Sequence, residues 1–170
     1  MKCLVSGATG FIGRPLCQQL AARGDTLIAL SRSGASLPDG LSTLSLDLAR
    51  GDVDNACLQD VEVVFHLAGI AHQQAPAADY EKLNLDASLR LARQAAAAGV
   101  RCFIFLSSVK AMGPSVGKAA RSEGDVSLPA DPYGVSKWRA ECALREEFEG
   151  SQMAVVILRP ALVYLSLIHI

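Results

Sequence analysis

Tyr133 and Lys137 are the residues whose types and spacing point most directly to proton transfer. Positions i and i+4 lie on one face of a helix, so the ammonium group can lie near the phenol. A phenol has an ordinary pKa of about 10 and exchanges protons poorly at neutral pH unless a nearby positive charge lowers that pKa. We expect the charge of Lys137 to have this effect. Upstream, Ser107 and Ser108 end an apolar run and supply hydroxyl groups that can stabilise charge developing on an oxygen.

Three glycines near the start of the chain form a second cluster with chemical meaning. Gly7, Gly10 and Gly13 follow the apolar run Lys2–Ser6 and precede a helical pattern. Gly7 permits a tight turn, Gly10 lets the backbone approach a phosphate, and Gly13 allows close packing of helix and strand. The helix N-terminus offers free N–H groups and a partial positive charge to an anion. A dinucleotide-binding turn is the favoured interpretation, and a plain strand-to-helix turn is the alternative.

Short runs rich in Val, Ile and Leu alternate with helical patterns, which predicts a parallel sheet covered on both faces. Strands are predicted near residues 2–6, 26–31, 42–46, 62–67, 101–107 and 154–159. Helices are predicted near residues 12–23, 54–59, 79–98 and 133–149. The stretch Gly113–Pro132 lacks periodicity and is predicted to be a loop, with Asp131 and Pro132 starting the helix after it. The fold class is therefore α/β, a doubly wound parallel sheet of the Rossmann type, which binds ligands at the carboxyl ends of its strands.

Composition and charge exclude several classes of protein. The chain has 170 residues, 51% of them hydrophobic, and a formal net charge of -1, which favours one folded α/β domain over a disordered or nucleic-acid-binding chain. The five cysteines are scattered without a Cys-x-x-Cys pair, so no metal site is expected. The sequence shows neither a signal peptide nor a run long enough to span a membrane. We expect a cytoplasmic protein with no membrane or nucleic-acid partner.

These motifs together resemble the extended short-chain dehydrogenase/reductase family, also called the NAD-dependent epimerase/dehydratase family. The resemblance rests on Gly7-Ala-Thr-Gly10-Phe-Ile-Gly13, on Ser108 and on the Tyr133 and Lys137 pair, and it spans about residues 1–164. It implies a dinucleotide-binding domain over residues 1–164 and a nucleotide sugar as the substrate, and it allows a homodimer. It also implies that the turn binds a nicotinamide dinucleotide through Gly7, Thr9, Gly10, Phe11, Ile12 and Gly13.

The resemblance assigns a role to each residue of the catalytic set. Tyr133 exchanges a proton with the substrate oxygen, Ser108 hydrogen-bonds that oxygen, and hydride moves between the substrate carbon and the nicotinamide. Lys137, aided by the oxidised nicotinamide, lowers the pKa of Tyr133 and also binds the nicotinamide ribose. Aligning Gly113 with the family's glycine makes Ser108 the catalytic serine and places Ser107 beside the cofactor. The Asp-Glu pair of the family's dehydratases is replaced by Val109-Lys110, so sugar dehydration is not expected.

The end of the second strand departs from the family pattern. An acidic residue normally binds the adenosine ribose there, whereas this chain has Ser31 and Arg32. Without a carboxylate nothing repels a 2′-phosphate, and Arg32, helped by Ser31 or Ser33, can bind one through charge-assisted hydrogen bonds. We therefore expect NADP to be favoured over NAD. The alternative is that Arg32 lies over the adenine or in solvent.

Other segments resemble the family's cofactor-binding positions. Asp47 and Leu48 match the pair at the adenine edge, with a loop aspartate that caps the next helix as the alternative. Asn84 matches a buried asparagine that braces a helix against the catalytic loop, with an ordinary polar helix position as the alternative. His66 and His72 are assigned to packing or support, although the loop of His72 could border a substrate. The remaining cofactor-binding positions implied by the resemblance are Leu67, Ala68, Gly69, Ser107, Tyr133 and Pro160.

The resemblance stops after Tyr164. The family continues there with a region that supplies most of the substrate pocket, whereas residues 165–170 do not match it. We expect these six residues to be a truncated or non-native tail.

Three functions remain open from the sequence. The first is an NADP-linked oxidoreductase or epimerase that acts on a carbonyl or secondary alcohol of a nucleotide sugar. The second is a reductase of a non-sugar carbonyl such as a flavonoid or steroid. The third is a regulatory protein that binds NADP without turnover, which the presence of Ser108, Tyr133 and Lys137 argues against.

Overall fold

Six strands and five α-helices follow one another in the computed structural model, which describes residues 1–38, 40–71, 75–115, 120–125 and 127–161. The strands are β1 Lys2–Ser6, β2 Thr26–Ser31, β3 Leu44–Ser45, β4 Val63–His66, β5 Cys102–Leu106 and β6 Ala154–Leu158. The α-helices are α1 Gly13–Ala22, α2 Asn55–Leu58, α3 Ala77–Tyr80, α4 Ala87–Ala97 and α5 Pro132–Glu147. His72, Tyr164 and the tail 165–170 lie outside the described residues.

The six strands form one parallel sheet in the order β3-β2-β1-β4-β5-β6. β2 and then β3 lie on one side of β1, and β4, β5 and β6 follow one another on the other side. Loops at the carboxyl ends of β1 and β4 therefore separate, which leaves a crevice at the point where ligands bind in sheets of this kind. The predicted α/β, doubly wound, Rossmann-type fold is confirmed.

Alternating side chains on the strands build a core on each face of the sheet. Leu4 packs on one face with residues of α4 and α5, whereas its neighbour Val5 packs on the other face against α1. Val156 and Leu158 of the edge strand β6 stay exposed. The two cores hold the carboxyl ends of β1, β4 and β5 at one edge, where the candidate residues lie.

Two elements differ from the sequence prediction. The predicted strand 42–46 is reduced to Leu44–Ser45, and the Thr43 hydroxyl just before it donates to the carbonyl of Ala35 and bonds Ser31. The predicted helix 79–98 contains a π-helical segment, Glu81–Asp86, between α3 and α4. Hydrophobic periodicity does not distinguish such a segment from an α-helix, and π-helical turns are frequent at functional sites.

The start of α5 agrees with the prediction from Asp131 and Pro132. The Asp131 carboxylate accepts a hydrogen bond from the backbone N–H of Gly134 at 3.0 Å, and Pro132 occupies the first helical position. This cap fixes where the helix begins and therefore where Tyr133 leaves the backbone.

Within the described residues, no helix is both long and apolar enough to cross a membrane. The same part of the chain contains no group of three histidine, cysteine or acidic side chains arranged to hold a metal ion.

Candidate active site

A cleft of about 690 Å³ opens at the carboxyl ends of β1, β4 and β5. Eleven of the predicted site residues line it, namely Gly7, Gly10, Phe11, Ile12, Gly13, Leu67, Gly69, Ser107, Ser108, Tyr133 and Pro160. Residues that the sequence prediction did not include are Ala71, Tyr80, Leu106, Lys110, Asp131 and Ala161. The glycine turn and the acid/base tyrosine thus face one cavity.

The glycine turn is packed so closely that side chains are excluded. Gly7 has φ 72°, and a Cβ there would lie 2.8 Å from the backbone nitrogen of Ala68. A Cβ on Gly13 would lie 2.2 Å from the Gly7 carbonyl oxygen and 2.9 Å from the Ala8 backbone. Since real Cβ atoms do not approach so closely, both positions require glycine for the turn between β1 and α1 to close.

The same turn has the donor groups that an anion needs. Gly10 N–H donates to the Gly7 carbonyl at 2.9 Å, and Arg14 N–H donates to the Gly10 carbonyl at 3.1 Å. Phe11 and Ile12 follow Gly10 in the chain, and their backbone N–H groups donate to no acceptor that the structure describes. Free N–H groups ahead of a helix, beside glycines facing a cleft, fit the pyrophosphate of a dinucleotide.

Tyr133 stands on the cleft wall, half-buried, and Ser108 lines the same cleft. The Tyr133 ring lies 6.2 Å from the ring of Tyr80. Burial raises the pKa of Tyr133, and the nearby Ser108 hydroxyl opposes this only in part. The chain's own residues therefore do not produce the lowered pKa that we expected from Lys137.

Lys137 lies beneath the cleft rather than on its wall. Its side chain is buried, with Nζ donating to the Leu106 carbonyl at 2.9 Å and lying 4.6 Å from the centre of the Phe105 ring. A Cβ on Gly69 would come within 3.2 Å of this Nζ, so the backbone of Gly69 separates the amine from the cleft. Burial lowers the pKa of Lys137 to about 8, and the charge of Glu141 acts in the opposite direction.

His66 begins a buried chain of hydrogen bonds. Its Nδ1 lies 2.6 Å from Ser6 Oγ and its Nε2 lies 2.8 Å from Ser88 Oγ. Ser88 donates to the Asn84 carbonyl, so it accepts from Nε2–H, and Nδ1 accepts from Ser6. Burial, with a contribution from the Lys137 charge, lowers the His66 pKa to about 3, in agreement with this neutral tautomer. The supporting role assigned to His66 agrees with these contacts.

Asn84 continues the chain to the catalytic helix. Its Oδ1 accepts from Ile70 N–H at 2.8 Å, and its Nδ2 donates to the Ile70 carbonyl and to Ser136 Oγ at 3.0 Å. Ser136 donates in turn to the Tyr133 carbonyl at 2.8 Å. Asn84 is fully buried, as expected, and it braces the loop after β4 against α5 rather than the catalytic loop after β5. Its contact with a cofactor stays a prediction.

Replacing His66 with Gln is expected to reduce the sensitivity of the fold to acid. The folded-state pKa of about 3 lies below the ordinary histidine value of 6.5, so the neutral histidine favours folding above pH 6.5 and that contribution is lost as pH falls toward 3. Between pH 6.5 and 3, the free energy of unfolding of the wild-type chain should fall by up to about 1.4 kcal/mol more per pH unit than that of the variant. Urea unfolding at a series of pH values measures the difference, and parallel pH dependences would contradict it.

The Ser107 hydroxyl hydrogen-bonds a buried ion pair that the sequence prediction missed. Its Oγ donates to Glu141 Oε1 at 2.5 Å, and Arg159 donates to both oxygens of the same carboxylate. The sequence feature that could have indicated this ion pair is Glu141, an acidic residue one helical turn after Lys137 and next to the apolar Ala140.

The end of β2 separates its two candidate residues. Ser31 is buried, bonds Thr43 Oγ1 at 2.7 Å and accepts from Gly34 N–H at 3.0 Å. Arg32 is exposed, and its guanidinium has neither a hydrogen bond nor an ion pair with any described residue. Of these two side chains, that of Arg32 is therefore the one available to bind a phosphate. Contact of Ser31 with a cofactor stays a prediction.

Four other predicted positions lie away from the cleft wall. Asp47 accepts from Ala49 N–H at 3.0 Å and so caps a turn, whereas Asp54 caps α2. Leu48 is buried in the core. Thr9 accepts from Arg14 Nε, and Ala68 N–H donates to Ser6 Oγ. The contacts of Thr9, Asp47, Leu48 and Ala68 with a cofactor stay predictions.

A parallel doubly wound sheet with a glycine turn at its central crevice defines a Rossmann-type dinucleotide-binding domain. Sequence comparison then gives the family. The chain matches the NAD dependent epimerase/dehydratase family over residues 3–167 and belongs to it. The resemblance found in the sequence is confirmed.

Three relatives illustrate the similarity. A UDP-glucose 4-epimerase of Vibrio cholerae is 35% identical over 95% of this chain and 51% of its own length. A putative dihydroflavonol 4-reductase of Synechocystis sp. is 30% identical over 89% of this chain and 47% of its own. The crystal structure of a Bacillus cereus UDP-glucuronic acid 4-epimerase in complex with NAD superposes with a TM-score of 0.83 at 28% identity, over 96% of this chain and 57% of that one. The chain thus spans about half the length of the relatives it matches.

Proposed function

We propose that this chain carries the cofactor site and the acid/base set of an oxidoreductase or epimerase that acts on a secondary alcohol or carbonyl of a nucleotide sugar. The observation that supports this most is that Tyr133 and Ser108 line the same cleft as the glycine turn. The epimerase relatives, named for UDP-glucose and UDP-glucuronic acid, favour a nucleotide sugar.

Each residue of the set has a defined task in this proposal. Tyr133 donates its phenolic proton to the substrate oxygen during reduction and accepts a proton from it during oxidation. Ser108 hydrogen-bonds the same oxygen, while the buried Lys137 supplies positive charge beneath the cleft. The bound nicotinamide dinucleotide supplies the transfer of hydride.

Mixing the purified chain with NAD or NADP and a UDP-sugar tests the proposal. Oxidation of the sugar appears as absorbance of the reduced nicotinamide, and epimerisation appears as a new sugar signal by NMR. Turnover of a non-sugar carbonyl together with no turnover of any UDP-sugar would count against a nucleotide-sugar substrate.

NADP preference is a separate and finer proposal, supported by Arg32, which is exposed and whose guanidinium pairs with no residue that the structure describes. Hydrogen bonds to charged groups contribute about 1.5–3 kcal/mol, so NADPH should bind roughly ten- to a hundred-fold more tightly than NADH. The R32A variant should lose this difference, whereas R101A, at the amino end of β5, should keep it. Fluorescence titration with both cofactors measures this difference in affinity. Equal or tighter binding of NADH by the wild-type chain would contradict the proposal.

A non-sugar carbonyl is the second candidate substrate. The reductase relative of Synechocystis sp. favours it, because its name denotes reduction of a flavonoid. The same Tyr133 and Ser108 would serve, so the two candidates differ only in which substrate turns over with NADPH. A cytoplasmic location, a homodimer and a domain over residues 1–164 remain predictions.

A further inference from the structure

Glu141 is a buried acid with more hydrogen bonds than its place in a helix requires. It lies one helical turn after Lys137 on α5 and is fully buried. Arg159 donates through Nε at 3.0 Å and through Nη2 at 2.5 Å, and Ser107 donates through Oγ at 2.5 Å. No side-chain polar atom buried in the described part of the chain lacks a partner, so both carboxylate oxygens are satisfied.

The partners of Glu141 belong to the three elements that carry the proposed site. Ser107 precedes Ser108 at the end of β5, and Arg159 precedes Pro160 at the cleft wall after β6. Arg159 also donates through Nη1 to the carbonyl of Glu123, in the segment before α5, at 2.8 Å. One carboxylate therefore joins the serine strand, the β6 end and the catalytic helix.

The charges near Glu141 act on Lys137. Arg159 is 7% exposed beside Glu141, and Arg145 Nη2 lies 3.8 Å from Glu141 Oε2. On the sheet side of Lys137, His66 is neutral and Leu106 presents a carbonyl. Glu141 is thus the negative charge that opposes the effect of burial on the amine.

We propose that Glu141 is a positioning residue that aligns the ends of β5 and β6 with the catalytic helix. Its meaning for catalysis rests on the proposed function, whereas its effect on Lys137 does not. A buried ion pair is often no more stabilising than packed apolar side chains, so stability alone is a weak reason for this pair.

The test compares E141Q with the paired variant E141Q/R159Q and with E146Q, which removes a charge from the exposed side of α5. The paired variant leaves no unpaired buried Arg159, so it keeps the test valid if E141Q alone fails to fold. The pKa of the Lys137 amine is measured by NMR of the isotope-labelled full chain, and thermal unfolding checks the fold.

The pKa of Lys137 is expected to fall below the wild-type value of about 8 in E141Q, which removes only the negative charge, to change less in the paired variant, and to stay unchanged in E146Q. A wild-type Lys137 pKa in folded E141Q, or wild-type amide chemical shifts of Ser107 and Ser108 in the folded paired variant, would overturn the proposal. This titration needs no turnover, so it stands even if no nucleotide sugar reacts. Where turnover is measured, its alkaline limit should move to lower pH in E141Q and return in E141D.

Discussion

Replacement of Tyr133 by Phe should lower turnover by about a hundred- to ten-thousand-fold, which is the usual contribution of a positioned acid or base. The change removes the phenolic hydroxyl while the ring keeps its place 6.2 Å from Tyr80. Because burial raises the pKa of Tyr133, the phenol is protonated at neutral pH and ready to act as an acid. Oxidation, which needs the deprotonated form, should therefore accelerate with rising pH in the wild-type chain. Single-turnover absorbance of the reduced nicotinamide measures both effects.

Tyr80 offers a matched control, because it is a second tyrosine on the same cleft wall. Y80F should keep turnover within a few-fold of the wild type, and Y133F should keep its affinity for the dinucleotide. Unchanged turnover in Y133F would refute the assignment of the acid/base residue.

Replacement of Gly13 by Ala should disrupt the dinucleotide turn. The added Cβ would lie 2.2 Å from the Gly7 carbonyl oxygen and 2.9 Å from the Ala8 backbone, so either the helix or the turn must shift. We expect a loss of about 1–3 kcal/mol in the free energy of unfolding, as for other overpacked sites, and at least a tenfold loss of dinucleotide affinity. Chemical denaturation and cofactor titration measure the two effects.

Gly124 supplies the control for this substitution. A Cβ there would meet only Ser122 Oγ, at 3.9 Å, so G124A should leave both quantities near the wild-type values. Similar dinucleotide affinity in G13A and the wild type would show that the turn tolerates the shift and would refute its role as a rigid cradle.

The sequence was sufficient for features that depend on local chemistry. Apolar runs gave the strands, Asp131 with Pro132 gave the start of α5, and the glycines gave the turn, since each depends on a few neighbouring residues. The shared cleft followed as well, because parallel strands carry their following loops to one edge of the sheet.

Features that depend on contacts between distant elements were not predictable in the same way. The ion pair of Glu141 with Arg159 joins α5 to the end of β6, and the pKa of Tyr133 depends on burial in the folded chain. The hydroxyl of Ser31 is taken by Thr43, which the sequence places in a separate run. Each outcome follows from tertiary packing, which motif spacing does not encode.

The hydrogen-bonded chain from Ser6 through His66 and Asn84 to Ser136 has a consequence for the order of folding. Ser6 and His66 are 60 positions apart, and Asn84 and Ser136 are 52 apart, so each bond closes a long loop. Closure of long loops opposes early contact in sequence-distant networks. The glycine turn and the catalytic helix should therefore acquire their final alignment together and late, after β1, β4 and α5 have docked.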